Sequence, residues 1–132
     1  MIEAALYARL TTPTMGAKVR DQVTSTQTDY ETGMVVYQQI AAGVEDTRSV
    51  GGPVTIFRTL QQIDIYATKK SRALALANEV RTRLDGQINQ TWGGLTIKAS
   101  IFDDQRAGNF QDTPEISGVY RIIQQYRIVY AA

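Results

Sequence analysis

The sequence of 132 residues contains neither cysteine nor histidine. Their absence excludes disulfide bonds, thiol nucleophiles, Cys/His zinc sites and the imidazole that most often serves as an acid, a base or a metal ligand. A catalyst would then depend on carboxylates or on a lysine with a strongly shifted pKa, and no such acid and base pair stands out. We therefore expect a protein that is not an enzyme and needs no cofactor.

An excess of charge of one sign is also missing. Lys and Arg number 14 against 13 Asp and Glu, which leaves a net charge of +1 and no general attraction to DNA, RNA or acidic lipid. No apolar run approaches the ~20 residues that cross a bilayer, and the start, MIEAALYARL, lacks the basic and apolar regions of a signal peptide. We expect a protein without a membrane partner that is made and assembled in the cytoplasm.

The length fits a single domain, residues 1–132. Ile2, Leu6 and Leu10 are spaced for one face of a short amphipathic helix that ends before Pro13. The segment Pro13–Gly33 is polar and weakly periodic. It holds either a short strand near residues 18–23 or a segment that becomes ordered only against a partner.

Two strands are predicted next, at Met34–Ala42 and Val54–Ala67, because apolar residues there alternate with polar ones. The phase of this alternation changes near Gln61 and Gln62, which indicates a bulge. Between the strands lies GVEDTRSVGGP, residues 43–53, which we interpret as a long hairpin loop.

The segment Phe57–Gly86 joins a strand to an amphipathic helix with almost no loop. Thr68 or Ser71 is expected to cap this helix, and Gly86 to end it. Its predicted apolar positions recur at intervals of three or four: Ala73, Leu74, Leu76, Ala77, Val80 and Leu84. The charged residues, Arg83 among them, are expected to point away from the core.

Leu95–Phe102 and Ile116–Tyr130 complete the predicted strands, with a long polar loop between them. The expected fold is therefore α+β: a four-stranded, mainly antiparallel sheet with helices packed on one face, in the order α-β-β-α-β-β.

Three patterns each allow a functional and a structural interpretation. Carboxylates around the second loop (Asp103, Asp104, Asp112 and Glu115) could bind a hard cation, but their spacing does not match an EF-hand, and a solvated loop is favoured. Arg121 and Arg127 beside the tyrosines of the last strand could stack single-stranded nucleic acid, but core packing is favoured for those tyrosines. Paired glutamines at 38–39, 61–62 and 124–125 suit either subunit contacts or a solvated sheet face.

An ordered set of motifs resembles the tail completion or tail terminator family of long-tailed bacteriophages, including the lambda-like terminators. The set comprises MVVYQQI at Met34–Ile40, DIYA at Asp64–Ala67, the helix at Ala73–Gly86 and GVYRIIQQYRIV at Gly118–Val129. Proteins of this family form a ring, usually a hexamer, that caps the tail tube and meets the head connector.

The resemblance implies a structural virion protein located in the tail or neck. Its implied partners are further copies of itself, the tail tube protein and a head connector or stopper protein, with DNA passing through the lumen without specific binding. We expect contacts at two loops, through Arg48, Ser49, Val50, Asp103, Asp104, Arg106, Phe110 and Asp112. The alternatives are a head-side connector or stopper protein and a small nucleic-acid-binding module, which would bind DNA weakly with steep salt dependence.

Overall fold

The computed structural model describes residues 2–11, 16–20, 33–49, 52–105 and 120–131. Within these residues two helices and six strands follow one another in chain order. They are α1 (Ile2–Thr11), β1 (Lys18–Arg20), β2 (Met34–Ser49), β3 (Gly52–Ala67), α2 (Lys70–Leu84), β4 (Gln87–Trp92), β5 (Leu95–Gln105) and β6 (Tyr120–Ala131).

The strands form one sheet in the order β1-β2-β3-β6-β5-β4. In this order, the five strands β2, β3, β6, β5 and β4 pair antiparallel with their neighbours. The three-residue β1 pairs parallel with the start of β2. The predicted four-stranded sheet in the order α-β-β-α-β-β is therefore wrong. β1, at Lys18–Arg20, lies where a short strand near residues 18–23 was one of the two expectations, although the count of four strands left it out. β4 gives no period-two signal because its sequence, QINQTW, is mostly polar.

The hairpin of β2 and β3 is longer than predicted. Its ladder runs to the pair Ser49 and Gly52, so most of the predicted loop at residues 43–53 is strand. Backbone hydrogen bonds form this ladder without the apolar alternation on which the prediction depended. The register shift lies between Gln39 and Ala41, so the extra residue is Ile40 in β2, opposite the position in β3 where we expected a bulge.

Both helices contribute to one buried cluster on one face of the sheet. The cluster includes Leu6 and Leu10 of α1, Leu76, Val80 and Leu84 of α2, and Val35, Ile63, Ile65, Ile97, Ile122, Tyr126 and Ile128 of the strands. We call this the helix face and the opposite side the bare face. On the bare face, Met34, Val36 and Tyr66 form a second, smaller buried cluster.

The ends of α2 differ in how well the sequence predicted them. Lys69 occupies the N-cap position without a side-chain hydrogen bond, so the expected cap by Thr68 or Ser71 is wrong. At the other end the Asp85 N–H donates to the carbonyl of Arg81 at 2.8 Å, and Gly86 follows with a φ of 70°. This left-handed conformation confirms Gly86 as the residue that ends the helix.

Candidate functional site

The structure separates the two groups of predicted contact residues. Arg48 and Ser49 lie at the end of β2, paired with Pro53 and Gly52. Asp104 lies near the opposite end of the sheet, in register with Gln125 of β6 and through it with Gln62 of β3. Nine residues of β3 separate positions 53 and 62, a distance of roughly 30 Å at about 3.4 Å per residue. Val50, Arg106, Phe110 and Asp112 lie outside the described residues.

The tip of the β2–β3 hairpin extends past the sheet. Pairing between β3 and β6 begins at Ile56, opposite Ala131. Beyond it, Asp46–Ser49 and Gly52–Thr55 pair with each other, and no third strand joins them within the described part of the chain. We call these two segments the hairpin arm. Arg48 and Ser49 therefore belong to a projecting two-stranded ribbon.

Asp103 takes part in an exposed ion pair on the sheet. Its Oδ1 lies 3.0 Å from Nε of Arg127, whose side chain is 65% exposed. A pair this accessible to water contributes little to stability. Both side chains are therefore well placed to contact another molecule.

An apolar patch on the bare face was missed by the sequence analysis. Ile88 is 64% exposed and Ile101 is 55% exposed. Ile88 pairs with Ala99, which in turn pairs with Val129, and Ile101 lies two residues further along β5. Ile88, Ala99, Ile101 and Val129 thus form a continuous surface, which we call the apolar patch.

A short-range signal could have located β4 and hence this patch. Gly93 and Gly94 have φ values of 54° and 84° and separate two strand-forming runs. A two-residue loop in which both residues adopt positive φ is the favoured connection of a tight β-hairpin, and Gly-Gly suits it. A tight hairpin turn at WGGL predicts that the segment containing Ile88 pairs with β5.

The other half of the bare face is held by a buried polar network. Asp64 Oδ2 accepts a hydrogen bond from Arg121 Nη2 at 2.9 Å, and Asp64 Oδ1 accepts one from Gln62 Nε2 at 2.9 Å. The Arg121 guanidinium also lies 5.7 Å from the ring centre of Tyr66. These contacts engage Arg121 within the subunit, so its role in the structure is to fix the sheet.

The tyrosines of β6 do not form a nucleic-acid stacking surface. Tyr126 and Tyr130 belong to the core on the helix face, and Tyr130 stacks on Phe57 with ring centres 5.3 Å apart. Burial raises the pKa of Tyr126, and the charge of Asp85 raises it further. The favoured interpretation of these residues as core is confirmed.

Two of the six strand glutamines are buried, contrary to both interpretations of them. Gln124 donates from Nε2 to the carbonyl of Ala77 at 3.1 Å and to Gln105 Oε1 at 2.8 Å, and its Oε1 accepts from the Tyr126 hydroxyl at 2.7 Å. Gln61 donates to Thr59 Oγ1 at 2.9 Å. Gln124 therefore connects the sheet to α2, whereas the bond of Gln61 stays within β3.

A shallow cleft lies between α1 and the β4–β5 turn. It is lined by Ala8, Arg9, Thr91, Trp92 and Gly93. The Arg9 guanidinium donates to the carbonyl of Arg83 and to Gln87 Oε1, and Arg9 is the one ionisable side chain among these described lining residues. Among the described residues there is also no group of three or more His, Cys, Asp or Glu side chains placed to hold a metal ion.

Within those same residues, neither helix has the length and apolar character needed to cross a membrane. Comparison with known proteins gave no matching family model and no matching curated protein. The fold is similar to that of a chain from the virion of a native gene transfer agent particle, with a TM-score of 0.62. The two are 17% identical, and the match covers 99% of this chain and 95% of that chain. The two chains share a fold.

Proposed function

We propose that this protein is a structural component of a phage-like virion, where it forms a ring that ends the tail tube and joins the tail to the head connector. The observation that carries the proposal is the fold match to a chain of a gene transfer agent virion, because it spans almost the whole of both chains. The motifs that resemble tail completion proteins support the same function from the sequence.

The geometry of the sheet suits a protein that joins two structures. A ring subunit needs different patches for its two neighbours, and further surfaces for the assemblies above and below. Arg48 and Asp104 lie at opposite ends of the sheet. We assign contacts with the tail tube protein, with the head connector or stopper protein and with neighbouring copies to these separated surfaces, within a ring of six copies by analogy with the family.

In this proposal the protein acts structurally and not as an enzyme. It requires no cofactor and no membrane, and it assembles in the host cytoplasm before it becomes part of the tail or neck. DNA passes through the ring without specific binding, which the net charge of +1 favours because a strongly basic lumen would retard the polyanion.

A head-side connector or stopper is the competing function in the same particle. To separate the two, purified protein is mixed with tail tubes that lack it and, in parallel, with DNA-filled heads that lack tails. A terminator is expected to cap the tubes as a ring visible by electron microscopy and to make them competent to join heads. Binding to heads alone would identify a head-side protein instead.

Genetic complementation tests the same function in particles. Without the gene we expect tails of irregular length that are not joined to heads. Arg48→Glu and Asp104→Lys should each impair a junction, whereas Asn78→Lys, at an exposed position on α2, serves as the control. Normal, head-joined tails in the absence of the gene would refute the terminator function.

A further inference from the structure

The apolar patch is exposed to solvent, although apolar side chains next to one another are typical of surfaces that contact another protein. Single exposed apolar side chains are ordinary on protein surfaces, but here two isoleucines on adjacent strands adjoin Ala99 and Val129. A continuous exposed apolar surface of this kind marks a binding site more often than chance.

The hairpin arm is the second feature that indicates a contact with another molecule. Within the described residues no third strand pairs with the arm, and a two-stranded ribbon by itself is at best marginally stable in water. The arm continues β2 and β3 away from the sheet, whereas the patch lies over β4, β5 and β6 within the sheet. The arm of a subunit therefore extends away from its own patch, which favours contact with the patch of a second molecule.

We propose that the apolar patch of one subunit receives the hairpin arm of a neighbouring copy of the same chain. The inference rests on the proposed ring-forming function and names the contact that would build the ring. Because arm and patch are different surfaces, the contact is head-to-tail, and repetition of it gives a closed ring or an open filament.

Charge complementarity favours a second copy over other occupants. The bare face beside the patch carries exposed Arg58 and Arg127, and the sequence of the arm and its base includes Glu45 and Asp46. Asp103 already pairs with Arg127 within the subunit, and in the proposed contact Arg48 of the neighbouring copy would add a cation beside this exposed pair. Arg48 and Asp103 were both predicted from the sequence to make contacts, but they lie far apart within one subunit. In the proposed contact they would meet between two subunits.

The absence of native cysteine makes this contact directly testable by disulfide trapping. One chain carries Thr47→Cys in the arm, and a differently tagged chain carries Ile101→Cys in the patch. The two are mixed under mild oxidation, with and without tail tubes. We expect disulfide-linked heterodimers, and a chain with both substitutions should give a ladder of linked species that ends at a closed ring. Leu74→Cys, on the exposed side of α2, replaces Ile101→Cys as the control and should not crosslink.

The assay distinguishes failure of the contact from failure of the function. Rings that cap tubes but show no arm-to-patch crosslinking above the Leu74→Cys control would overturn this inference and leave the proposed function intact. Preferred crosslinking between two Ile101→Cys chains would also overturn it, since it would show a two-fold, face-to-face contact. Trapping of the expected ladder by a protein that never binds tubes would support the contact and refute the terminator function.

A second measurement does not depend on trapping. Ile88→Lys combined with Ile101→Lys should abolish assembly in sedimentation experiments and on tubes, while the melting temperature stays near that of the parent because both side chains are exposed. Leu74→Lys should leave assembly unchanged. Normal assembly of the double variant would overturn the inference.

Discussion

Arg9 and Arg83 each donate a hydrogen bond to a main-chain carbonyl in the last turn of the other residue's helix. Arg83 Nη1 donates to the carbonyl of Leu10 in α1 at 2.9 Å, and Arg9 Nε donates to the carbonyl of Arg83 in α2 at 2.8 Å. The last carbonyls of a helix lack partners within it, and they attract cations. Each guanidinium therefore caps the other helix, and the pair fixes α1 against α2 over the sheet.

Replacement of Arg83 by methionine should destabilise the protein by about 2 kcal/mol, because it leaves the buried carbonyl of Leu10 without its donor. Urea denaturation measures the change in the free energy of unfolding. Arg81→Met is the control on the same helix, where the side chain is half exposed and pairs with Asp85, and its effect should stay below about 1 kcal/mol. Equal effects of the two substitutions would contradict the capping role.

Substitutions at Gly33 and Gly86 allow two destabilising effects of a side chain at a positive-φ residue to be measured separately. These effects are backbone strain and steric clash. Both have positive φ, but a Cβ on Gly33 would lie 2.5 Å from Cδ1 of Leu76, whereas a Cβ on Gly86 would meet nothing within 4 Å. We expect Gly86→Ala to cost about 1 kcal/mol from backbone strain alone and Gly33→Ala to cost about 2 kcal/mol more from the clash. Thermal denaturation of the two variants measures the difference. Adding Leu76→Val to Gly33→Ala should relieve part of the clash, and no relief would argue against it.

Stability should fall as the pH rises above about 10, the ordinary pKa of tyrosine. Burial raises the pKa of Tyr126 in the folded state, so the unfolded chain releases this proton first and its free energy falls relative to that of the folded chain. Urea denaturation at pH values from about 8 to about 11 should show this slope, and Tyr126→Phe should reduce it. A remainder is expected from Tyr130, whose pKa is raised by burial and then by the charge of Glu3. An unchanged slope in Tyr126→Phe would refute the assignment.

Two carboxylates of the bare face, Asp64 and Asp103, should respond differently to neutralisation. The Asp64 side chain is 4% exposed and bonds to Arg121, so Asp64→Asn should cost about 2 kcal/mol through a lost charged hydrogen bond. Asp103→Asn breaks the exposed pair with Arg127 and should cost less than about 0.5 kcal/mol. If ring contacts use Asp103, the second variant should assemble poorly at full stability. Chemical denaturation and sedimentation on the same samples check both expectations.

Sequence periodicity predicted α2 and β6 well because each has one face in the core. Ala73, Ala77, Val80 and Leu84 are buried as expected, and so are the even-numbered apolar residues of β6 from Ile122 to Tyr130. Two residues of α2 departed from the pattern: Leu74 is exposed and Arg83 is buried. Periodicity predicts that Arg83 is a surface residue. The pattern carries no information about the carbonyl groups of the other helix, to which the guanidinium donates a hydrogen bond.

The candidate contact surface was only partly accessible to the sequence. Arg48 and Asp103 were predicted as contact residues from their positions near loops, but their separation along the sheet follows from the order in which strands pair. The apolar patch depends on β4 lying beside β5, which the mostly polar sequence QINQTW does not indicate and only the glycine turn at WGGL does. Only pairing along the sheet places Ile88 beside Ala99 and Val129.

The sequence by itself determined the classes of chemistry that are absent, the amphipathic helices and the alternation of β3 and β6, because these depend on residue types and short-range periodicity. The tertiary structure decided the number of strands, the extension of the hairpin arm and the division of the sheet into a helix face and a bare face. These depend on backbone pairing between segments distant in the chain, which polar sequences can form as well as apolar ones. The surfaces proposed to build the ring, arm and patch, come from that second set.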